Sequence, residues 1–402
     1  MDSVEAYLAD IAAAIRPLTA RELPLAEALG AVLADDLTAL RPMPSFDNSA
    51  MDGYAVHASD VVTATTDSPA LLPVKGEIPA GDIRRHDLVS GSVLRIMTGA
   101  PMPAGADAVV PVELTDGGSD LVAIREPVRA GNAVRPAGGD AQPGDLLLSA
   151  GTRLGPVHVA LLAAAGHGAV VARPRPRVTV IATGDELVEP GGELVPGQIF
   201  ESNAVMLSAA AREAGCPAVR HPIVRDDTAA VLAAVQDALA TADLLITSGG
   251  VSMGGEHDVV KAALSTLGTV TFRRVALQPG MPQGFGTVGP AATPIFTLPG
   301  NPVSSYVSFL LFVRPALDAL QGIFTERGNA GRATLTGPVQ SPPNRRSYLR
   351  GILDAGTGQV TPVPGQASHQ LANLARANAL IIVPEDVAAL DAGTSVEVLE
   401  LP

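Results

Sequence analysis

Tryptophan is absent from the 402 residues, aromatic side chains make up 3%, and Lys75 and Lys261 are the only lysines. With so few rings there is little for nucleic-acid bases to stack on. The formal net charge is −14, and an acidic surface repels phosphate backbones, so nucleic acid is not an expected partner. Cationic work must fall mostly on arginine. Cys216 is the sole cysteine. A disulfide within one chain is therefore excluded, which suits a reducing cytosol and a cytoplasmic location. In Ala-Gly-Cys-Pro, just after a helical stretch, Cys216 reads as a structural thiol. No His/Cys group has zinc-finger spacing. Asp2 and Glu5 stand where a signal peptide needs a basic segment, so no secretion signal is expected. The apolar run over 157–172 is broken by His158, Gly166, His167 and Gly168, which leaves it too short to span a bilayer. No membrane partner is expected.

What is present is enough apolar matter to fold: hydrophobic residues are 47% of the chain and mean hydropathy is +0.28. The length exceeds that of one hydrophobic core, and domains of ~100–200 residues imply two to four units. The 41 glycines and 34 prolines fit many turns and short strands. Val4, Leu8, Ile11 and Ile15 recur at helical spacing, and Pro17 ends that helix. Residues 24–33 read as a second short helix. From 45 to 145 the pattern becomes short β-type runs parted by Gly, Pro and Asp, as in a small all-β domain. A helical pattern returns at 157–165, so the β unit is inserted into a helical one.

Beyond the Pro-rich joint at 173–177, strands (178–182, 219–224, 243–247, 270–275, 295–298) alternate with helices (203–214, 229–240, 257–267, 303–320). Such alternation implies a parallel sheet with helices on both faces. After about Gly322 the runs at 333–335, 348–353 and 380–383 predict a C-terminal β-domain. The expected division is 1–44 plus 146–172 helical, 45–145 inserted β, 173–322 α/β and 323–402 C-terminal β.

In open α/β sheets, ligands bind beyond the carboxyl ends of the strands. Three loops leave there: Thr183-Gly-Asp-Glu186, the Gly-rich stretch from Ser248 to Asp258, and Pro299-Gly-Asn-Pro302. Adjacent glycines let backbone approach a ligand closely, and N–H groups before a helix favour phosphate or another oxyanion. No Gly-Lys-Ser/Thr follows, so this is not a Walker A loop. Glycine density alone fits equally well a turn that binds nothing. Asp185 and Glu186 could simply cap backbone donors, and Pro302 could simply start a helix. In the β region, Asp47, Asn48, Ser49 and Asp52 crowd one segment. This is either an Asx-rich turn or a metal or substrate contact. Thr98 adds a hydroxyl in a loop of turn-formers.

Five segments in this order resemble the MoeA-type molybdopterin molybdenumtransferases, the family that includes the E-domain of gephyrin: FDNSAMDGYAV (46–56), RIMTGAPMP (95–103), ATGDEL (182–187), SGGVSM (248–253) and LPGNPVS (298–304). The resemblance runs over essentially the whole chain. It implies a multidomain α/β plus β fold: a helical region, an inserted β-domain, an α/β domain like that of the molybdopterin adenylyltransferases (MogA-like), and a C-terminal β-barrel. It also implies a homodimer whose site lies between the α/β domain of one subunit and the β-domain of the other.

The implied reaction takes adenylylated molybdopterin and molybdate, releases AMP and requires Mg²⁺. The candidate carboxylates Asp52, Asp140, Glu186, Asp226 and Asp258 would repel these anions unless a hard cation sits between them. Motif matching assigns Asp52, Glu186 and Asp258 to metal or adenylyl handling. It places Thr98, Thr183, Gly184, Ser248, Gly249, Gly250, Ser252, Pro299, Gly300 and Pro302 on the substrate, and Arg350 and Ser368 on anions.

One stretch departs from the family pattern, which is lysine-rich after the strand: here it reads Arg274-Val-Ala-Leu-Gln278-Pro-Gly-Met281-Pro282. Arg274 can replace a cation, whereas Gln278 and Met281 cannot. Arg273 either compensates or is a surface residue. The missing lysines keep open a non-enzymatic paralogue that binds or scaffolds molybdopterin, and the shared α/β domain keeps open a molybdopterin adenylyltransferase. An adenylyltransferase and the apoproteins of molybdoenzymes are the partners implied.

Overall fold

A computed structural model describes residues 1–249, 259–267, 269–324 and 330–402. The chain forms two compact units. One comprises Met1–Arg21, Gly30–Val32 and Ala172–Pro402; the other comprises Glu22–Leu29 and Leu33–Val171.

The first unit is built on a six-stranded sheet in the order Ala218–Arg220, Val178–Ala182, Leu244–Ser248, Thr293–Leu298, Pro282–Val288, Val270–Arg274. The first four run parallel. Val178–Ala182, Leu244–Ser248 and Thr293–Leu298 are buried on both faces, as a covered parallel sheet requires, and Ala218–Arg220 lies at the exposed edge. Val180 and Ile246 join one core with Leu207 and Ala211 of the helix Asn203–Glu213. Their neighbours Ile181 and Leu245 join the opposite core with Val231, Val235 and Leu264 of the helices Thr228–Leu239 and Val259–Ser265. The helix at 228 starts where Asp227 accepts a hydrogen bond from the Ala230 N–H at 2.8 Å.

Pro282–Val288 runs antiparallel to both of its neighbours, and it was not expected from sequence. It reads PQGFGTV, and its glycines hide the strand signature. A Cβ on Gly284 would lie 2.8 Å from the Phe272 ring, and one on Gly286 would lie 2.2 Å from the Thr269 carbonyl oxygen. Close backbone approach, not flexibility, keeps these positions glycine.

The N-terminal helix Val4–Ala14 begins at Ser3, whose hydroxyl accepts from the Ala6 N–H at 3.0 Å, and buries Val4, Tyr7 and Ile11. The Tyr7 ring meets the Phe312 ring edge-on at 4.9 Å. Phe312 lies in the helical run Pro302–Leu320, which passes through a π-helical segment at Phe309–Val313. Among the described residues this run alone is long and apolar enough to cross a membrane; 67% of it is buried within the protein.

The C-terminal strands Arg346–Asp354, Gln359–Pro362, Ala330–Leu335, Ser395–Glu400 and Ala379–Val383 close into a barrel through the pairing of Arg346–Asp354 with Ala379–Val383. Leu277–Gln278 adds in parallel beside Arg346 and Ser347.

The second unit holds a five-stranded sheet ordered Ala108–Pro111, Gly53–Val56, Val93–Ile96, Ala70–Ile78, Leu121–Ile124. Its two faces bury Tyr54, Val56, Val93 and Val110 on one side and Ala55, Leu94, Ile96 and Val109 on the other. The short helix expected at 24–33 does not form. The structure has a strand at Arg21–Pro24, one 3₁₀ turn at Leu25–Glu27 and a strand at Val32–Leu33. Gly30 at φ 78° adopts a left-handed conformation that no helix interior contains.

Candidate active site

The parallel strands end level with one another. Ala182 is in register with Ser248, and Ser248 with Leu298, so the three expected loops leave the sheet side by side. The Gly249 N–H donates to the Leu298 carbonyl at 3.2 Å and the Thr183 N–H to the Ser248 carbonyl at 3.5 Å. Gly249 has φ 93°, and a Cβ there would sit 3.3 Å from the Thr183 carbonyl oxygen; a Cβ on Gly300 would lie 3.7 Å from the Gly249 Cα. Thr183, Ser248, Gly249, Pro299 and Gly300 therefore share one edge. Pro302 is the first residue of the following helix. Gly250, Ser252 and Asp258 lie outside the described residues.

The Thr183 loop is braced by the neighbouring chain. Thr183 pairs with Val224, and the Gly184 N–H donates to the Val224 carbonyl at 3.2 Å. The Asp226 N–H reaches Asp185 Oδ1 at 3.4 Å. Asp226 and Glu186 thus project from adjoining loops, both exposed.

Asn203, which sequence reasoning passed over, ties two of the loops together. Its Nδ2 donates to Ser248 Oγ at 2.8 Å and to the Gly300 carbonyl at 2.7 Å. The only sequence signal was an asparagine at a helix start, which reads as a cap. Yet Ser202 holds the cap position, with no side-chain cap bond, and Glu201 Oε1 satisfies the Ala204 N–H at 2.6 Å.

At the turn after Val270–Arg274, an Arg274 terminal nitrogen lies 3.3 Å from Met281 Sδ. An Arg345 terminal nitrogen lies 3.4 Å from Gln278 Oε1. Among the described residues neither arginine meets a carboxylate, in a chain with 41 acidic against 27 basic residues. Arg273 differs, because it pairs with Asp2 and Asp10. It anchors the N-terminal helix and is not a spare cation.

Arg350 is 1% exposed and donates to the Gly365 and Ala367 carbonyls at 2.9 and 3.3 Å, with Nε unpartnered. Burial lowers its pKa from the ordinary arginine value. Next to that segment, the Ser368 carbonyl accepts from the Val303 N–H at 3.1 Å. Ser368 thus sits at the helix start that Pro302 opens. A Cβ on Gly280 would meet the Ser308 hydroxyl at 3.1 Å and the Ser304 carbonyl at 3.4 Å, so the Gln278–Met281 turn packs on the same helix.

In the second unit, Asp52 Oδ1 accepts two hydrogen bonds from Thr98, from its N–H at 2.7 Å and its hydroxyl at 2.8 Å. The Thr98 backbone bond, then its hydroxyl, then Arg95 hold the exposed Asp52 carboxyl below the usual carboxylate range, against a smaller upward pull from desolvation. The segment around Asp52 is tied in place. The Gly99 N–H donates to the Ser49 carbonyl, and the Asp140 N–H to the Met43 carbonyl, both at 2.8 Å. Asp47 Oδ1 caps the Ala137 N–H at 2.7 Å. Asp47 thus ties together stretches 90 residues apart, while Asp52 and Asp140 keep exposed carboxylates.

The chain matches profiles of the MoeA N-terminal region (domain I and II) over residues 2–166, a "probable molybdopterin binding domain" over residues 179–319 and the MoeA C-terminal region (domain IV) over residues 332–401. It is 46% identical over 98% of its length to molybdopterin molybdenumtransferase 2 of Mycobacterium tuberculosis, covering 97% of that protein. The molybdopterin molybdenumtransferase of Bacillus subtilis is 37% identical over 93% of this chain and 88% of its own. The chain belongs to the molybdopterin molybdenumtransferase family.

A crystal structure of a molybdopterin biosynthesis MoeA protein from Pyrococcus horikosii superposes with a TM-score of 0.78, at 33% identity over 99% of this chain and 98% of the other. Within the MoeA fold, this chain stations Arg274 and Arg345 at the turn where its sequence has Gln278 and Met281. Arg345 was not singled out from sequence, because it stands 67 residues from Gln278.

Proposed function

We propose that this protein inserts molybdenum from molybdate into adenylylated molybdopterin, releasing AMP, in molybdenum cofactor biosynthesis. The observation that carries the reading is the level strand edge at Thr183, Ser248, Gly249 and Gly300, together with Arg274 and Arg345, which meet no carboxylate among the described residues. Such an edge suits anionic substrates: glycine lets backbone approach an oxyanion, and each unpaired guanidinium offers a planar fork to one. Full-length kinship with proteins named molybdenumtransferases favours insertion over adenylylation. Arg274 and Arg345 weigh against a paralogue that has lost its positive charges.

Asp52, Glu186 and Asp258 are the residues we assign to Mg²⁺. Among the described residues no group of three or more His, Cys, Asp or Glu side chains could hold a metal. That fits Mg²⁺, which is commonly held by one or two carboxylates plus substrate phosphates. Asp52 suits such a role because Thr98 occupies Oδ1 only, and the carboxyl stays ionised. Bound there, Mg²⁺ would neutralise phosphate charge and polarise the phosphoanhydride. The protein's own part is to hold the carboxylates ionised and aimed, to fix the anion by backbone N–H groups, and to supply arginine forks.

We further propose a cytoplasmic homodimer that receives its substrate from a molybdopterin adenylyltransferase and serves molybdoenzyme apoproteins. Purified protein given adenylylated molybdopterin, Mg²⁺ and molybdate should release AMP in proportion to molybdate. Absence of molybdate-dependent AMP release would sink the proposal.

A further inference from the structure

We infer that Asn203 sets the Ser248 hydroxyl as a hydrogen-bond donor to a phosphate oxygen of the bound substrate; this rests on the function proposed above. The argument starts from the Gly300 carbonyl, which can only accept. Its 2.7 Å approach to the Asn203 side chain must therefore be to the amide nitrogen, because the amide oxygen there would repel it. Nδ2 carries two hydrogens, and the second points to Ser248 Oγ at 2.8 Å. Ser248 is thereby the acceptor in that bond, and its own proton is directed elsewhere. Among the described residues that proton has no acceptor. Ser248 is 4% exposed and sits at the carboxyl end of its strand, level with Ala182 and Leu298.

A second observation points the same way. Asn203 Oδ1 is buried without a hydrogen-bond partner among the described residues. Leaving a buried acceptor unsatisfied is costly. The reverse amide orientation would pair Oδ1 with the Ser248 proton, but it would set two oxygens against each other at Gly300. The fold keeps the orientation that strands Oδ1 and frees the serine proton. A donor without an acceptor among the described residues, at a glycine-lined strand edge, suits an anionic oxygen, and the phosphate of adenylylated molybdopterin is the one the proposed reaction presents. Asn203 is a positioning residue; Ser248 makes the contact.

The test is a double-mutant cycle on the full-length protein, with dissociation constants for adenylylated molybdopterin and for AMP read by calorimetry. Ser248→Ala should weaken binding about tenfold, the value of one hydrogen bond to a charged group. Asn203→Asp replaces the donor by a carboxylate that takes the Ser248 proton for itself, and it should weaken binding as much. The double variant should be weaker by clearly less than the product of the two single effects.

Multiplicative single effects overturn the inference. Should Asn203 variants not fold, Ser248→Ala decides alone, and unchanged affinity overturns it. A wild type that binds the probe but releases no AMP would instead defeat the proposed function while leaving the cycle measurable.

Discussion

Thr98 gives both of its donors, the backbone N–H and the hydroxyl, to a single oxygen of Asp52. Both bonds favour the ionised carboxylate, which is why its pKa is depressed. Removing the hydroxyl in Thr98→Val leaves the stronger backbone bond and raises the Asp52 pKa part of the way toward its ordinary value. A depressed acid contributes above its unfolded pKa and loses that contribution as pH falls through the folded one. The acidic limb of the AMP-release profile should therefore move to higher pH in Thr98→Val. An unmoved limb would mean that Asp52 ionisation does not control turnover.

Asp52→Ala should reduce Mg²⁺-dependent AMP release at least a hundredfold with an unchanged circular dichroism spectrum, because the exposed carboxylate supports no buried contact. Wild-type rates in this variant would remove Asp52 from the metal assignment.

The arginines at the Gln278 turn predict a split in molybdate dependence. Arg345→Gln should raise the molybdate KM roughly tenfold, the effect of one lost charge-assisted contact. Gln278→Lys should lower it. Arg273→Gln should leave it unchanged, because Arg273 is committed to Asp2 and Asp10. A molybdate KM that responds to Arg273 and ignores Arg345 would reverse the assignment.

Stability should respond most where the N-terminal helix docks. Phe312 is fully buried against Tyr7, and Phe312→Ala should lower unfolding free energy by about 3–5 kcal/mol. Asp227→Ala removes one helix cap and should cost about 1 kcal/mol. Urea denaturation of both variants checks the ratio.

Residues whose partners are near in sequence, or whose pattern repeats, were legible without coordinates. Val4, Ile11 and Ile15 show one helical face. The apolar runs at 178–182 and 244–248 are buried on both faces and read directly as parallel strands. Thr183, Gly249 and Pro299 could be placed on one edge because strand polarity alone brings carboxyl ends together. Pro282–Val288 was illegible because Gly284 and Gly286 are there for what lies opposite them, Phe272 and the Thr269 carbonyl. Asn203 and Arg345 escaped for a related reason. Their partners, Ser248, Gly300 and Gln278, lie 45, 97 and 67 residues away, and no local spacing encodes such a meeting. Arg273 could be read either way until its partners at Asp2 and Asp10 were seen.

The helix Val4–Ala14 is held by residues that come very late in the chain. The Asp2 N–H bonds to the Arg274 carbonyl, the Ala276 N–H bonds back to Asp2, and Glu5 pairs with Arg346. During synthesis this segment leaves the ribosome before its partners and must wait, with Tyr7 and Ile11 uncovered, until the strand at 270–274 and the barrel strand at 346–354 have been made. The whole second unit can fold in the interval. A segment made before its partners is thus seated late, with its apolar face uncovered in the interval.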